Sequence, residues 1–334
     1  MKKKVFCVMA LCMVLFSSCD KEDIGFEEPI VPPVEEPEKP SEPEKPSVMP
    51  STDDLIRVKI DDDIMAIVGS NEWKSIAYGN GKYVAVGDSG YTTSSTDGVN
   101  WVTPIKVVKN NLNKVKFLNN KFIAVGDTGV VMFSTDGNSW EINQALNNYS
   151  DWYSITYGKG NYLIGGTGGM RAYSPDGKTW KEGASNGYTL KSITHNNDLF
   201  ITCSESTIYY TTNPFSRENW TSVNVGEAWI TYWSDCIYDE DKNLFICVGS
   251  LHINDIYKGY ITISTDGKKW TEPKEVGSNS FNSVISSNGK FIALTYNGYI
   301  TTSTDGENWT TPEQIKDENG NIISTRLCSV CAIY

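Results

Sequence analysis

Arginine is nearly missing from this chain. Among its 334 residues only Arg57, Arg171, Arg217 and Arg326 carry a guanidinium, and 29 Lys and Arg face 41 Asp and Glu, for a net charge of −12. An acidic surface of that size repels phosphate backbones, so nucleic acid is excluded as an expected partner. Histidine is scarcer still, with His195 and His252 alone. Cys328 and Cys331 have CxxC spacing, but on a strand residues three apart point to opposite faces, and no second pair exists to complete a zinc site. We therefore expect no metal and no cofactor. Long apolar runs are also lacking: Val5 to Phe16 spans 12 residues, too few to cross a bilayer as a helix.

That short run has a specific setting. Lys2, Lys3 and Lys4 precede it and Ser17-Ser18-Cys19 follow it, the layout of a secretory signal. Phe16-Ser17-Ser18-Cys19 resembles the lipobox of bacterial lipoproteins, in which the cysteine becomes the lipidated first residue. Residues 1–18 are then a signal peptide, Cys19 the lipidation site, and the mature charge falls by three to −15. Asp20-Lys21-Glu22-Asp23 resembles the surface-export signal of some Gram-negative lipoproteins, which implies a lipid-anchored, surface-exposed protein of the outer membrane. Residues 19–50 are rich in Pro and Glu, with eight prolines between Glu27 and Pro50. Such a segment cannot build a core and reads as a stiff tether, whose last 24 residues reach roughly 70 Å when extended.

What the chain has in quantity is aromatic residues, 12% of the total, and they repeat. Ser95-Thr96-Asp97-Gly98-Val99-Asn100-Trp101 recurs around Asp136 and Trp140, Asp176 and Trp180, Asp266 and Trp270, and Asp305 and Trp309. A degenerate copy, longer by two residues and without Asp-Gly, ends at Trp220. The tryptophans are spaced 39, 40, 40, 50 and 39 residues apart, a period that marks a solenoid or propeller. Within each unit, runs such as Ser75-Ile76-Ala77-Tyr78, Lys82 to Gly87 and Tyr91 to Ser94 read as short strands broken by Gly, Asn and Asp. The second run is apolar on both faces, as in a sheet packed between two others. Residues 51–334 are thus expected to form an all-β fold, a β-propeller of four-stranded antiparallel blades. Six repeats are complete. Ser329-Val330-Cys331-Ala332 restarts the first-strand pattern and is expected to join Leu55 to Ile60 and Ile64 to Gly69 in a split seventh blade.

The box has a structural explanation. Asp-Gly suits a turn that needs a positive φ, and the carboxylate can accept the turn's own N–H groups. The tryptophan then buries its ring against the next blade. Asp97, Asp136, Asp176, Asp266 and Asp305 are accordingly staples, and the degenerate copy should hold Trp220 less firmly. The pattern resembles the Asp-box (BNR) repeat of the sialidase-like propellers over residues 70 to 334. The usual box has one residue between Asp and Gly, absent here. The resemblance implies that the boxes lie between third and fourth strands, on the face away from the binding site.

Candidate sites therefore belong to the opposite face. Its loops are minimal except in the fifth repeat, where Ser250 to Gly259 supplies the extra length. The connection entering that repeat holds Trp229, Tyr232 and Trp233; the insertion adds His252, Asn254, Asp255 and Tyr257. Flat rings beside carboxylates and amides suit a sugar, with rings stacking on pyranose faces. The competing reading is that these aromatics pack blade against blade. Trp152 and Tyr153 form a second, smaller patch. Cys236 and Cys247 fall on adjacent strands and could pair if register allows, since export permits disulfides, although buried free thiols are the commoner outcome.

Sialidases hold their substrate carboxylate with three arginines, one in an Arg-Ile-Pro type motif; no arginine here is followed by Ile-Pro or Leu-Pro. A two-carboxylate glycosidase remains open, with Asp88 and Asp127 the best pair, although both also suit turns. The leading reading is a non-catalytic, monomeric cell-surface binding protein for a glycan. The alternatives are a glycoside hydrolase and a protein-interaction scaffold.

Overall fold

The computed structural model describes residues 49–332 apart from 61–62, 69–71, 144–145, 147–149, 184, 186, 217–219, 227–230, 254–255, 318–319 and 324–327. Cys19 and nearly all of the tether fall outside these residues, as do Trp229, Asn254 and Asp255.

Six four-stranded antiparallel sheets form a β-propeller. Blade 1 consists of Trp73–Gly79, Lys82–Gly87, Tyr91–Ser95 and Ile105–Lys106. Blade 2 is Leu112–Leu118, Lys121–Gly126, Val131–Ser134 and Glu141–Asn143. Blade 3 is Trp152–Gly158, Asn161–Gly166, Arg171–Ser174 and Lys181–Glu182. Blade 4 is Ser192–His195, Phe200–Ser204, Thr207–Thr211 and Thr221–Asn224. Blade 5 is Thr231–Asp239, Leu244–Ile253, Ile256–Ser264 and Lys274–Glu275. Blade 6 is Phe281–Ser287, Lys290–Thr295, Tyr299–Ser303 and Glu313–Gln314.

The chain ends meet in a further sheet, where Asp63–Val68 pairs with Leu55–Ile60 on one side and Ser329–Ala332 on the other. The pairing runs from Leu55 opposite Val68 to Ile60 opposite Asp63. This sheet has three strands, so the four strands expected of a split seventh blade are not met among the described residues. Its strand Ser329–Ala332 packs against the first strands of blades 6 and 1, which completes a ring of seven inner strands. Ser75, Ser154, Ser192, Asp235, Ser283 and Ser329 occupy matching positions on that ring. Several bridge neighbours: Ser75 Oγ donates to Val115 O at 3.4 Å, and Ser154 Oγ accepts from Ile193 N at 2.7 Å.

Alternating, doubly apolar strands explain the core. In the second strands of blades 1, 2, 3 and 6 every residue after the first is buried, because each sheet is covered on both faces. The first strands bulge just after Trp73, Leu112, Trp152, Trp233 and Phe281. In blades 1, 2, 3 and 5 that residue faces a glycine. A Cβ on Gly87 or Gly249 would fall about 2 Å from the carbonyl oxygen of Glu72 or Tyr232, so no side chain fits there.

The boxes bind themselves. Ser134 Oγ donates to Asp136 Oδ1 at 3.0 Å and accepts from Gly137 N at 2.8 Å, while Asn138 N and Ser139 N each donate to Asp136 Oδ1 at 2.8 Å. The same set recurs at Asp97, Asp176, Asp266 and Asp305. These donors hold the five carboxyls well below the ordinary carboxylate range. The box tryptophan packs toward the preceding blade, not the next: Trp180 lies with Ile123 and Val131 of blade 2, and Trp309 with Leu244 and Ile246 of blade 5. The degenerate copy also departs from expectation. Asn213 takes the Asp position and Trp220 is only 5% exposed.

Candidate functional site

Antiparallel pairing decides which end of each blade is available. The boxes join third to fourth strands, so the second-to-third turns and the links between blades gather on the opposite face. On that face the expected loop of blade 5 is not a loop. His252 pairs with Tyr257 and Ile253 with Ile256, so the insertion lengthens two strands into a projecting hairpin. The β-branched Val248, Ile253 and Ile256 favour continued pairing over an open loop.

Between this hairpin and blade 6 runs a groove of about 880 Å³. Tyr232, Tyr257 and Tyr296 border it, at 49%, 51% and 39% exposure. Asn279 and Asn297 line it as well, and the Asn297 amide donates to Asn279 Oδ1 at 2.7 Å. Lys191, exposed at the start of blade 4, is the charged residue among the described lining residues. The neighbouring Lys258 is held by Glu275 at 2.7 Å, which raises its pKa. Tyr232 and Tyr257 were expected here from sequence. Tyr296, Asn279, Asn297 and Lys191 were not, because they come from blade 6 and the start of blade 4, far along the chain. The signal available for Tyr296 was its place in a second-to-third turn, where the other blades carry Asp88, Asp127 and Thr167.

Trp233 requires correction. It is fully buried, packed with Leu199, Ile201, Cys236 and Phe245 between blades 4 and 5, and cannot stack on a ligand. It occupies the bulge position also held by Trp73, Leu112, Trp152 and Phe281, and that repetition was its sequence signal. Trp152 is fully buried for the same reason, which removes half of the second patch.

Asp88 and Asp127 are occupied by structure. Asn111 and Asn113 donate to the two Asp127 oxygens at 2.9 and 2.7 Å, and Lys74 Nζ lies 3.4 Å from Asp88 Oδ1. Both residues open the one-turn bends that place Ser89 and Thr128 at positive φ. The Asp127 carboxylate braces the start of blade 2's first strand, and Asp88 pairs with Lys74.

The inner strands surround a second cavity of about 240 Å³ lined by Tyr78, Lys114, Lys116 and Asp235. Burial, then the neighbouring Lys114 charge, pulls the Lys116 pKa down to about 8. The Asp235 carboxylate accepts from Ser192 Oγ at 2.6 Å, Cys236 N at 3.0 Å and Val284 N at 3.1 Å, which ties blades 4, 5 and 6 together. Cys236 and Cys247 are register partners, and both are buried free thiols. Among the described residues no group of His, Cys, Asp and Glu is placed to hold a metal ion.

Neither a family model nor a curated protein matches the sequence. The fold does have solved counterparts. A structure of YCF48 bound to D1 peptide superposes at TM-score 0.57 with 15% identity, over 78% of this chain and 86% of that one. YCF48 from Cyanidioschyzon merolae gives 0.54 at 14% identity, over 77% and 87%. A catalytically inactive virginiamycin B lyase from Staphylococcus aureus with quinupristin gives 0.60 at 10%, over 78% and 88%. A peptide-bound protein and a lyase on one architecture make the class a β-propeller and leave its chemistry to the site.

Proposed function

We propose that this chain is a non-catalytic binding protein and that the groove between blades 5 and 6 takes a glycan with an acidic group. The observation that carries this reading is the convergence of Tyr232, Tyr257 and Tyr296 around Asn279, Asn297 and Lys191. Half-exposed rings stack on sugar faces, amides bond hydroxyls, and a groove of this size holds a few residues of a chain. Lys191 supplies a positive point on an otherwise acidic protein and selects for a carboxylate. A protein ligand is the second reading, favoured by the peptide seated on the structurally similar YCF48.

The lipobox-like Phe16-Ser17-Ser18-Cys19, with the acidic run after it, supports anchoring through a Cys19 lipid on the outer membrane, exposed at the surface. The self-bonded turns support membership among Asp-box propellers.

Homogalacturonan and its methyl ester share one backbone and differ only in the free carboxylate, so affinity electrophoresis on the pair tests the reading. We expect retardation by the free acid, little by the ester, and no released sugar. Equal retention of both would remove the charge preference. Retention of neither would remove the glycan reading, and released sugar would establish a hydrolase.

A further inference from the structure

The inner strands repeat one residue type and depart from it at two places. Ser75, Ser154, Ser192, Ser283 and Ser329 hold matching positions on five strands. The first three hydroxyls bridge to the next blade. On blade 5 the position belongs to Asp235, and on blade 2 to Lys114, which pairs with Val125 as Ser75 pairs with Val86. Two residues further on, Lys116 takes a place filled on other blades by Ala77, Thr156, Ile237 and Ile285. Folding therefore asks for a cation at neither position.

Lys114 and Lys116 are two apart on one strand, so their side chains leave the same face. Both line the cavity of about 240 Å³ inside the ring, and both are partly exposed. Each ammonium is a point charge with three donors. The two repel: after burial, the Lys114 charge is the next cause that lowers the Lys116 pKa to about 8. Lys116 is still mostly cationic at neutral pH.

The acidic residue of this lining is already engaged. Asp235 Oδ1 accepts from Ser192 Oγ and Cys236 N, and Oδ2 accepts from Val284 N. Its attraction leaves the Lys116 pKa below the ordinary lysine value. Ser283 and Ser329 line the same cavity, and among the described residues neither hydroxyl is spent on a protein group. Donors and positive charge thus outnumber acceptors in a space several times the volume of a water.

We propose that the inner ring holds a divalent oxyanion, sulfate or hydrogen phosphate, on Lys114 and Lys116, with Ser283 and Ser329 donating to its remaining oxygens. Two positive charges match two negative ones, and the dianion relieves a repulsion that a neutral ligand would leave. The site shares no lining residue with the tyrosine groove and does not depend on what binds there.

The test compares wild type with Lys116→Ile and Lys114→Ser, which restore residues of other inner strands and are expected to fold. Each protein is dialysed into Tris chloride at neutral pH and titrated with sodium sulfate at constant ionic strength, by calorimetry and by thermal melting. Ion chromatography of the denatured protein measures any anion retained through dialysis. We expect one wild-type site per chain, either retained or titrated with a saturable rise in Tm of several degrees. Each variant should bind roughly tenfold more weakly or worse, as losing a charge-assisted contact does. Lys116→Met and Lys114→Thr repeat the comparison should a variant fail to fold. Acetate, with a single charge, should shift the wild type far less, and a shift equal to that of sulfate overturns the divalent match. Sulfate effects equal in wild type and both variants are general salting-out and overturn the site. So does a wild type with no retained anion, no binding heat and no saturable shift.

Discussion

Tyr232 and Trp233 are consecutive, yet Tyr232 stands half-exposed on the groove and Trp233 lies wholly buried between blades 4 and 5. Successive strand residues point to opposite faces, so one aromatic pair serves two purposes. Tyr232→Ala or Tyr257→Ala should weaken glycan retention by ~1–3 kcal/mol with little change in unfolding, since an exposed stacking ring contributes mainly to binding. Trp233→Ala should cost ~3–5 kcal/mol of stability. Denaturant unfolding run beside affinity electrophoresis separates the two. A Tyr232 variant that melts low and binds as before would show that the ring packs instead of binding.

The degenerate box gives the reverse of its sequence expectation. Trp220 is buried and lies under Arg171, whereas Trp140 is only partly buried. Trp220→Ala should therefore cost ~3–5 kcal/mol and Trp140→Ala less. Chemical denaturation of the two variants decides the order, and a larger loss for Trp140→Ala would contradict it.

His195 gives the fold a pH dependence of known sign. Burial first, then Lys116 and Lys159, lower its pKa from 6.5 to about 4, and its ring stacks on Phe200 with centroids 5.2 Å apart. The unfolded chain takes up a proton below 6.5 that the folded chain refuses until about 4. Stability from this group is complete above 6.5 and falls by on the order of 2 kcal/mol as pH drops toward 4. The box carboxyls, depressed in the fold, withdraw their contribution only at lower pH, as unfolded carboxyls protonate below ~4. His195→Gln should flatten the profile between 6.5 and 4, measured by unfolding at a series of pH values; an unchanged slope would place the dependence elsewhere.

Anchoring has its own measurement. Cys19→Ala should abolish metabolic lipid labelling and release the protein from the membrane fraction. A variant that still sediments with membranes would refute lipidation at Cys19.

The period of the tryptophans, the Asp-Gly turns and the doubly apolar second strands determined the propeller from sequence alone. Each is a local demand: a turn needs its positive φ, and a strand covered on both faces needs apolar residues throughout. The same locality explains why the box aspartates could be read as staples. Only the tertiary structure decided which way each aromatic faces. Trp233 and Tyr232 have similar chemistry, and which of them faces the core follows from the register in which Trp233 pairs with Gly249 and Tyr232 with Ser250. Only the ring of blades brought Tyr296, Asn297 and Lys191 to Tyr232, since residues more than one hundred positions apart meet there. Arg171 makes the division plainest. In sequence it is one of four scarce arginines. In the fold it is a buried cation near Trp220, because closing blade 3 onto blade 4 removes its water and, among the described residues, brings no hydrogen-bond acceptor to its guanidinium.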